Sequence, residues 1–315
     1  MRMHSRRDFL ARSATAAGML ALGADRLLAA PSAAGGKAAD MTIAKWAGFQ
    51  QPTAAEIPQI AAKLTEKAIE GLGGMQRFVS KGMVVWVKPN IGWDRTPELA
   101  ANTNPEVVAT IVRLCFEAGA KKVKVGDNPV NPADRTYPAS GIPAAVKPLG
   151  AEVVMLDKVK FKEATINGER LKKHLLYPDI LDCDLVINVP IAKHHRLPEV
   201  TLCMKNYMGV IEDRKTFHQA IPECLIDLTR FMKPRLCVLD AVRVLPTNGP
   251  SGGKADYVKL KTTVAAGVDI VALDAFGAEL LGRKPAEIET IVKAEQAKLG
   301  KIDYRSLALR EIAVS

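Results

Sequence analysis

Short apolar runs alternate with amphipathic segments along most of the chain. The apolar runs have the length of buried strands, which we predict at 83–87, 123–125, 153–156, 185–189, 236–239 and 307–314. The intervening segments repeat apolar residues at helical spacing, which predicts helices over 57–72, 105–118, 142–149, 224–232, 270–281 and 286–299. This alternation predicts an α/β fold with a mostly parallel sheet flanked by helices, in one body or in two α/β lobes.

The predicted helix over 105–118 has the clearest boundaries. Asn104 precedes it as a candidate N-cap, Pro105 occupies its first turn, and Gly119 follows its last turn. We therefore expect the helix to begin and end close to these residues.

A different pattern occupies the first 34 residues. The segment Ser5–Leu10 places two arginines before Phe-Leu, and a weakly apolar stretch rich in Ala and Gly follows to about Ala24. Paired arginines here are the core of a twin-arginine signal, and the stretch is too short to remain as a membrane span. We predict a signal peptide over 1–34, the twin-arginine translocase as a partner, and a periplasmic or secreted protein with no stable membrane span. A chance basic start or an ordinary signal for unfolded export is the alternative.

Beyond the leader we predict a linker over 35–55 and an α/β domain over 56–315. Hydrophobic residues make up 48% of the chain and charged residues 25%, as in a globular protein with a core. The net charge is +10, and five arginines and two aspartates of the leader leave about +7 for the rest. This excess favours small acidic ligands or anionic surfaces, and a generally basic soluble protein without such a partner is the plainer alternative. No basic run is interleaved with aromatic residues, so we expect no nucleic-acid partner.

The five cysteines form no Cys-x-x-Cys pair, so the usual spacing of a zinc site or an iron–sulfur cluster is missing. The Gly-x-Gly-x-x-Gly dinucleotide fingerprint and the Gly-Lys-Ser/Thr phosphate loop are missing as well. These patterns argue against an iron–sulfur cluster in this chain and against nicotinamide or flavin binding by the usual motif. The cofactor stays unassigned.

Polar side chains follow the predicted strands at the end where ligands bind in open parallel α/β sheets. They are Lys88, Asn90, Asp127, Lys193, His195 and Asp240. Each residue alone could be ordinary turn chemistry, because such residues end strands in most proteins. Their coincidence favours a shared site.

Two further segments add candidate ligand-binding groups. Lys205 and Asn206 lie within otherwise apolar sequence, where a lysine is either ion-paired or faces a cavity and binds an anion. Gly249 lies in a Gly-rich loop, which is a plain surface loop, a lid or an anion-binding backbone.

The histidines His195 and His218 allow more than one interpretation. Their ordinary pKa suits a general acid or base near neutral pH. With Asp127 or Asp240 they are a candidate metal site, although the spacing matches no short metal motif. A hydrogen-bonded histidine without a metal is the plainer alternative.

Six short segments, in their order along the chain, carry a family resemblance. They are Val87–Asn90, Asn188–His195, Val200–Gly209, Leu239–Ala241, Gly249-Pro250 and Ala266–Asp274, with His218 after the third. Together they cover roughly residues 80 to 315 and resemble the motifs of the domain of unknown function 362 family. His194 departs from that pattern, which usually has a threonine before the histidine that matches His195.

The resemblance implies little about chemistry, because the reaction of that family is unsettled. Many of its members carry an added ferredoxin-like segment of clustered cysteines and are described as iron–sulfur proteins. This chain has no such segment, so the cluster is not carried over. The α/β layout and the Lys-plus-His content also resemble, more faintly, the lactate racemase group, which holds a nickel-pincer cofactor with a lysine and histidines.

Two functional hypotheses follow. In the first, the protein is an enzyme for a small anionic substrate that Lys88, Lys193 and Lys205 hold. His195 or His218 then serves as acid or base, Lys193 is a further catalytic candidate, and the aspartates orient these groups or bind a metal. In the second hypothesis, the protein is a non-catalytic periplasmic binding or redox-partner protein that docks to an acidic partner.

Overall fold

A sheet of ten strands lies at the centre of the structure, a computed structural model that describes residues 38–315. Two more strands within these residues, β5 and β6, form a separate antiparallel pair. In chain order the strands are β1 (Met41–Trp46), β2 (Val84–Pro89), β3 (Lys122–Val125), β4 (Glu152–Val153), β5 (Lys162–Thr165), β6 (Lys173–Leu176), β7 (Leu185–Val189), β8 (Ile191–His195), β9 (Glu199–Thr201), β10 (Leu236–Leu245), β11 (Lys259–Gly267) and β12 (Leu309–Val314).

Ten α-helices within residues 38–315 accompany the strands, several of them joined by short 3-10 turns. In chain order they are α1 (Ile57–Gly71), α2 (Pro105–Glu117), α3 (Ala133–Ala139), α4 (Ile142–Val146), α5 (Pro178–Leu181), α6 (Cys203–Asn206), α7 (Lys215–Gln219), α8 (Ile221–Met232), α9 (Ile270–Leu280) and α10 (Glu289–Gln296). None of the helices in this part of the chain has the length and apolar character that crossing a membrane requires.

The strand order through the sheet is β12-β1-β11-β10-β7-β2-β3-β4, and β8 pairs with β10 and β9. Neighbours along this path run parallel, except that β11 is antiparallel to both β1 and β10. The predicted α/β class with a mostly parallel sheet is confirmed. Residues 38–315 form one compact unit, so the alternative of two α/β lobes is not realised.

The central strands are buried on both faces, which explains why their sequences are continuously apolar. Successive side chains of a strand point to opposite faces. Val85 and Val87 therefore join a cluster with residues of α1 and α2, whereas Trp86 joins a second cluster with residues of α8 and α9. Full burial of one such aliphatic side chain stabilises the fold by about 2 kcal/mol.

The boundaries of α2 agree with the sequence signals. The Asn104 side chain accepts a hydrogen bond from the Glu106 backbone N–H at 2.9 Å, which satisfies one of the free amides of the first turn. Gly119 follows the helix with a φ of 95°, a conformation that glycine adopts without strain. The Asn104 backbone N–H also donates to Asp240 of β10, which holds the N-terminal end of α2 against that strand.

The predicted linker over 35–55 is wrong for its central part. Residues Met41–Trp46 form β1, which pairs with β11 on one side and β12 on the other. The strand was missed because the elements that bury it lie more than 200 residues further along the chain. The predicted signal peptide over 1–34 lies outside the described residues.

One predicted helix is shorter in the structure, and one strand of the main sheet was not predicted. The helix expected over 142–149 ends at Val146 and continues as a 3-10 turn around Pro148, because proline cannot donate the next helical hydrogen bond. Strand β11 was not predicted, since polar residues fill its first half and only its second half is buried. The second difference matters for the sheet, because β11 lies inside it between β1 and β10.

Candidate functional site

Three parallel strands bring the first site residues to one edge of the sheet. Lys88 on β2 lies beside Asn188 on β7, and Asp127 follows the end of β3. After Pro190 the chain continues as β8, which carries Lys193 and His195 beyond that edge. The expectation that polar residues after the strands would meet is therefore met for these side chains.

A cavity of about 360 Å³ opens at this edge. Its polar lining includes Asn90, Asp127 and Asn206. The basic groups that line it are Lys193, Lys205, Arg196, Arg214, His195 and His218. Six basic groups thus line a cavity that has one carboxylate, Asp127.

The Asp127 carboxylate already forms an ion pair with a buried lysine, Lys88. Asp127 Oδ1 lies 2.6 Å from Lys88 Nζ, and both side chains are buried. Asp127 also accepts the backbone N–H groups of Ile91 at 2.8 Å and Asn128 at 2.9 Å. Burial lowers the pKa of Lys88 and raises that of Asp127, and the attraction between the two charges opposes both shifts.

Gly209 closes over this ion pair. A Cβ atom at Gly209 would lie 1.7 Å from Asp127 Oδ1 and 2.6 Å from Lys88 Nζ, so no side chain fits. The backbone of Gly209 also accepts the Asn128 N–H at 3.1 Å. The glycine at this position is required by close packing, not by an unusual φ.

Two side-chain amides connect the two buried lysines. Asn206 Oδ1 accepts from Lys88 Nζ at 3.2 Å and from Asn90 Nδ2 at 3.0 Å. Asn90 Oδ1 in turn accepts from Lys193 Nζ at 2.9 Å. The other end of Asn206 donates to Asn188 Oδ1 at 2.8 Å, which fixes the orientation of the amide. This network holds Lys88 and Lys193 in defined positions.

Lys193 has only neutral acceptors. Its side chain is 1% exposed, and its amine donates to Asn90 Oδ1 and to the Ala101 carbonyl. No carboxylate within residues 38–315 forms an ion pair with it. Burial, and then the nearby Lys205, lower the pKa of Lys193 well below its usual value.

Lys205 lies on the short helix α6, whose first turn is capped by Asp274 of α9. The Asp274 carboxylate accepts the backbone N–H groups of Cys203 at 2.6 Å and Met204 at 3.1 Å. The Lys205 amine contacts Met208 Sδ at 3.4 Å. Burial, and secondarily Arg214, lower the pKa of Lys205 to about 7. The sequence left two alternatives for Lys205, a lysine in an ion pair or a lysine that faces a cavity. In the structure Lys205 lines the cavity.

Arg214 is the main cavity residue that the sequence interpretation missed. Its guanidinium donates to the carbonyl oxygens of Pro129, at 3.2 Å, and of Asn128. Arg214 belongs to the charged segment Glu212–Lys215, which precedes His218 in the sequence. One signal was available: it precedes the candidate His218 by one helical turn, and its carbonyl accepts the His218 N–H at 3.1 Å.

Both candidate histidines line the cavity. His195 Nδ1 accepts the Leu197 N–H at 3.1 Å, so the neutral ring carries its proton on Nε2. Burial, Lys205 and Lys193 lower the pKa of His195 to about 2, which keeps the ring neutral. The more exposed His218 also has a lowered pKa, because of partial burial and the positive charge of Lys205.

The candidate metal set is not assembled. Among residues 38–315, no three His, Cys, Asp or Glu side chains come together as metal ligands. Asp127 is occupied by Lys88, and Asp240 accepts the backbone N–H groups of Asn104 at 2.7 Å and Val242 at 3.0 Å.

Three of the predicted ligand-binding residues, Lys88, Asp240 and Gly249, do not line the cavity, and the Lys88 amine is buried against Asp127. Burial raises the pKa of Asp240 to about 6, and its carboxylate anchors the chain just before α2. The neighbouring Thr103 hydroxyl accepts the Asn90 backbone N–H at 2.8 Å, so Asp240 supports the site from behind.

Gly249 passes so close to the His194 carbonyl that a Cβ atom would lie 2.0 Å from the oxygen. This contact leaves Pro250 on the cavity wall. The sequence Gly249–Gly253 matches the Gly-x-Ser-x-Gly pattern of a nucleophile elbow, but this segment joins the antiparallel strands β10 and β11. It therefore lacks the strand-to-helix turn that a nucleophile elbow needs.

Comparison with known proteins places the chain in a family. The model of a domain of unknown function, DUF362, matches residues 85–279, which include the whole cavity. The thylakoid-associated protein sll1697 of Synechocystis sp. is 30% identical over 242 residues, covering 74% of this chain and 73% of that protein. The lactate racemase apoprotein of Thermoanaerobacterium thermosaccharolyticum has a TM-score of 0.47 and 11% identity, over 76% of this chain and 56% of that one. On the match over residues 85–279, this chain belongs to the DUF362 family.

Proposed function

We propose that the protein binds, and acts on, a small anionic ligand in the cavity at the carboxyl ends of the strands. The observation that carries this proposal is a charge imbalance. Lys193, Lys205 and Arg214 face the cavity without a carboxylate partner within ion-pair distance in the described part of the chain, and the carboxylate of Asp127 is paired with Lys88. Clustered like charges in a partly buried site disfavour one another, and a bound carboxylate or phosphate offsets that cost.

The neighbouring groups give the ligand a defined orientation. Asn90 and Asn206 offer fixed amides on the cavity wall, and Arg214 offers donors in a planar fork that suits carboxylate and phosphate oxygens. A neutral His195 donates from Nε2, and His218 is placed to accept or donate a proton. These roles support an enzyme over a purely passive binder.

Calorimetric titration of the full chain with inorganic phosphate, oxalate and pyruvate tests the proposal. We expect at least one anion to bind, and saturation at a hundredfold excess over Kd to stabilise the fold by about 2.7 kcal/mol. Arg214→Gln and Lys193→Met each remove one cationic group and should weaken binding at least about tenfold.

Lys173→Gln is the matched control, because Lys173 is an exposed lysine that pairs with Glu163 away from the cavity. It lowers the net charge equally and should leave the affinity unchanged. Absence of binding by all three anions, or equal losses in the control and the cavity variants, would contradict the proposal. Tight binding without turnover of any carboxylate would favour the non-catalytic hypothesis.

We also propose that the protein is exported by the twin-arginine translocase. Arg6 and Arg7 followed by Phe-Leu and a weakly apolar stretch support this address. The conservative double substitution Arg6→Lys/Arg7→Lys keeps the charge and should retain the protein in the cytoplasm when cell fractions are compared. Arg2→Lys, outside the pair, is the control and should not change export. Equal export of both variants would contradict export by the twin-arginine translocase.

A further inference from the structure

Lys205 differs from the other two lysines of the site in the partners of its amine. Lys88 is held by Asp127, Asn206 and the Pro89 carbonyl, and Lys193 is held by two oxygen acceptors. The Lys205 amine contacts only the sulfur of Met208 within residues 38–315. It is therefore the lysine that can reach a ligand without giving up an existing partner.

The surroundings of Lys205 also disfavour its ammonium form. The groups that face it are basic: Arg214 is a cation, Lys193 carries an amine whose pKa burial lowers, and His195 and His218 are imidazoles. The carboxylate on this side of the cavity, Asp127, is tied to Lys88. Burial and the Arg214 charge bring the pKa of Lys205 to about 7, so a large fraction of the amine is unprotonated near neutral pH. A desolvated lysine beside another cation is the usual environment of an amine nucleophile.

We infer that Lys205 is a nucleophile that forms an imine with the carbonyl carbon of a 2-oxo carboxylate bound in the cavity. This inference rests on the proposed function, because Lys193 and Arg214 would hold the carboxylate of the same substrate. It adds the chemical class of the substrate, which must carry a carbonyl group as well as a negative charge.

The step needs no additional reagent. The lone pair of Lys205 Nζ forms a bond to the carbonyl carbon, and the π pair of the C=O bond moves to oxygen, which takes up a proton. The nitrogen loses a proton, which gives the carbinolamine. Its hydroxyl takes up a second proton and leaves as water while the nitrogen lone pair forms the C=N bond, and the nitrogen then releases its second proton. One amine and one carbonyl thus give one imine and one water. His218, which lines the cavity, is placed to carry these protons.

The charge balance explains why the substrate should be a carboxylate. Protonation of the imine nitrogen creates a fixed positive charge among Lys193, Arg214 and Lys88. A carboxylate on the adjacent carbon compensates that charge directly, whereas an uncharged aldehyde or ketone does not. The cavity of about 360 Å³ admits a substrate of several carbon atoms.

Reductive trapping tests the inference. The full chain is incubated with pyruvate and sodium cyanoborohydride, which reduces an imine to a stable secondary amine. We expect one reduced pyruvate adduct in the intact mass, and peptide mapping should place it on Lys205. Lys205→Arg keeps a cation but removes the nucleophile and should lose the adduct. Lys173→Arg, on the surface, should trap as wild type does.

A competition between oxalate and pyruvate on the wild-type protein tests the same inference without relying on the Lys205→Arg variant to fold. Oxalate carries two carboxylates and forms no imine, so saturating oxalate should suppress the adduct on wild-type protein at least about tenfold. If oxalate or phosphate binds but no adduct forms on Lys205, the inference is wrong and the proposed function stands. If no anion binds and no adduct forms, both fail. Adducts spread over surface lysines, equal in wild type and Lys205→Arg, would also overturn the inference.

Discussion

The Lys88 amine and the Asp127 carboxylate lie 2.6 Å apart in a buried ion pair, of which Asp127 lines the cavity. Taking two charges out of water costs free energy that only their mutual attraction and further hydrogen bonds offset. Asp127 accepts two backbone amides in addition, and Lys88 donates to an amide and a carbonyl. The pair is satisfied as a unit, so removal of one member leaves the other charge buried without its partner.

Lys88→Met should therefore lower the free energy of unfolding by about 3–5 kcal/mol, because Asp127 stays buried and unpaired. Guanidinium denaturation measures the loss. The double variant Lys88→Met/Asp127→Asn removes both charges and should recover a large part of it. Lys173→Met breaks the exposed pair with Glu163 and should change stability by less than about 1 kcal/mol. Additive losses in the double variant would show that the two charges are not coupled.

Gly209→Ala should destabilise the protein through the same pair. The added methyl group would overlap Asp127 Oδ1. The carboxylate cannot retreat easily, because each of its two oxygens accepts a backbone N–H. We expect a loss of about 2–4 kcal/mol, measured by thermal unfolding. Gly92→Ala is the matched control on the same cavity, since its new Cβ would meet nothing closer than 3.4 Å. Equal melting temperatures for the two variants would contradict the close-packing argument.

Much of the site could be predicted because its geometry follows from strand direction. Lys88, Asp127 and Lys193 each follow or end a parallel strand, and parallel strands deliver their carboxyl ends to one edge. Patterns of a few residues identify such strands. The gathering of these side chains therefore needed no knowledge of distant contacts.

The remaining differences arise from contacts that no local pattern contains. Asp240 was expected to follow the strand predicted over 236–239, but it lies within β10, and its carboxylate accepts the backbone N–H of Asn104, a residue 136 positions away. Arg214 reaches the cavity because its guanidinium is held by carbonyl groups some 85 residues earlier in the chain. Strand β1 exists because β11 and β12 bury it from both sides. Each case depends on tertiary structure.

Because Asp240 accepts backbone amides and does not line the cavity, its removal should lower the stability of the fold without weakening ligand binding. Asp240→Ala leaves the backbone amides of Asn104 and Val242 without their acceptor and should cost about 2–4 kcal/mol of stability. The phosphate affinity of the folded variant, measured by calorimetry below its melting temperature, should stay within about threefold of wild type, since the carboxylate does not line the cavity. A normal melting temperature with a large loss of affinity would restore Asp240 to the ligand-binding set.

The titration of Lys205 should be visible in the pH dependence of stability. Its pKa is about 7 in the folded protein and near 10.5 in the unfolded chain, so between these values the unfolded state holds a proton that the folded state lacks. Stability then rises with pH through this window, and the full penalty of burying the ammonium is present below pH 7. Lys205→Met removes this group. Burial still lowers the pKa values of Lys193 and Lys88 in both proteins, and Lys193 loses only the part of its shift that the Lys205 charge causes.

Denaturation of wild type and Lys205→Met at a series of pH values from 6 to 10 isolates the effect. Wild type should gain stability relative to the variant as the pH rises above about 7, by about 1–3 kcal/mol in total. Saturating phosphate should move the onset of this gain to higher pH, because a bound anion favours the ammonium form. Parallel stability curves for the two proteins would mean that Lys205 keeps an ordinary pKa in the folded state, and the basic groups around the cavity would then carry their full charge without a ligand.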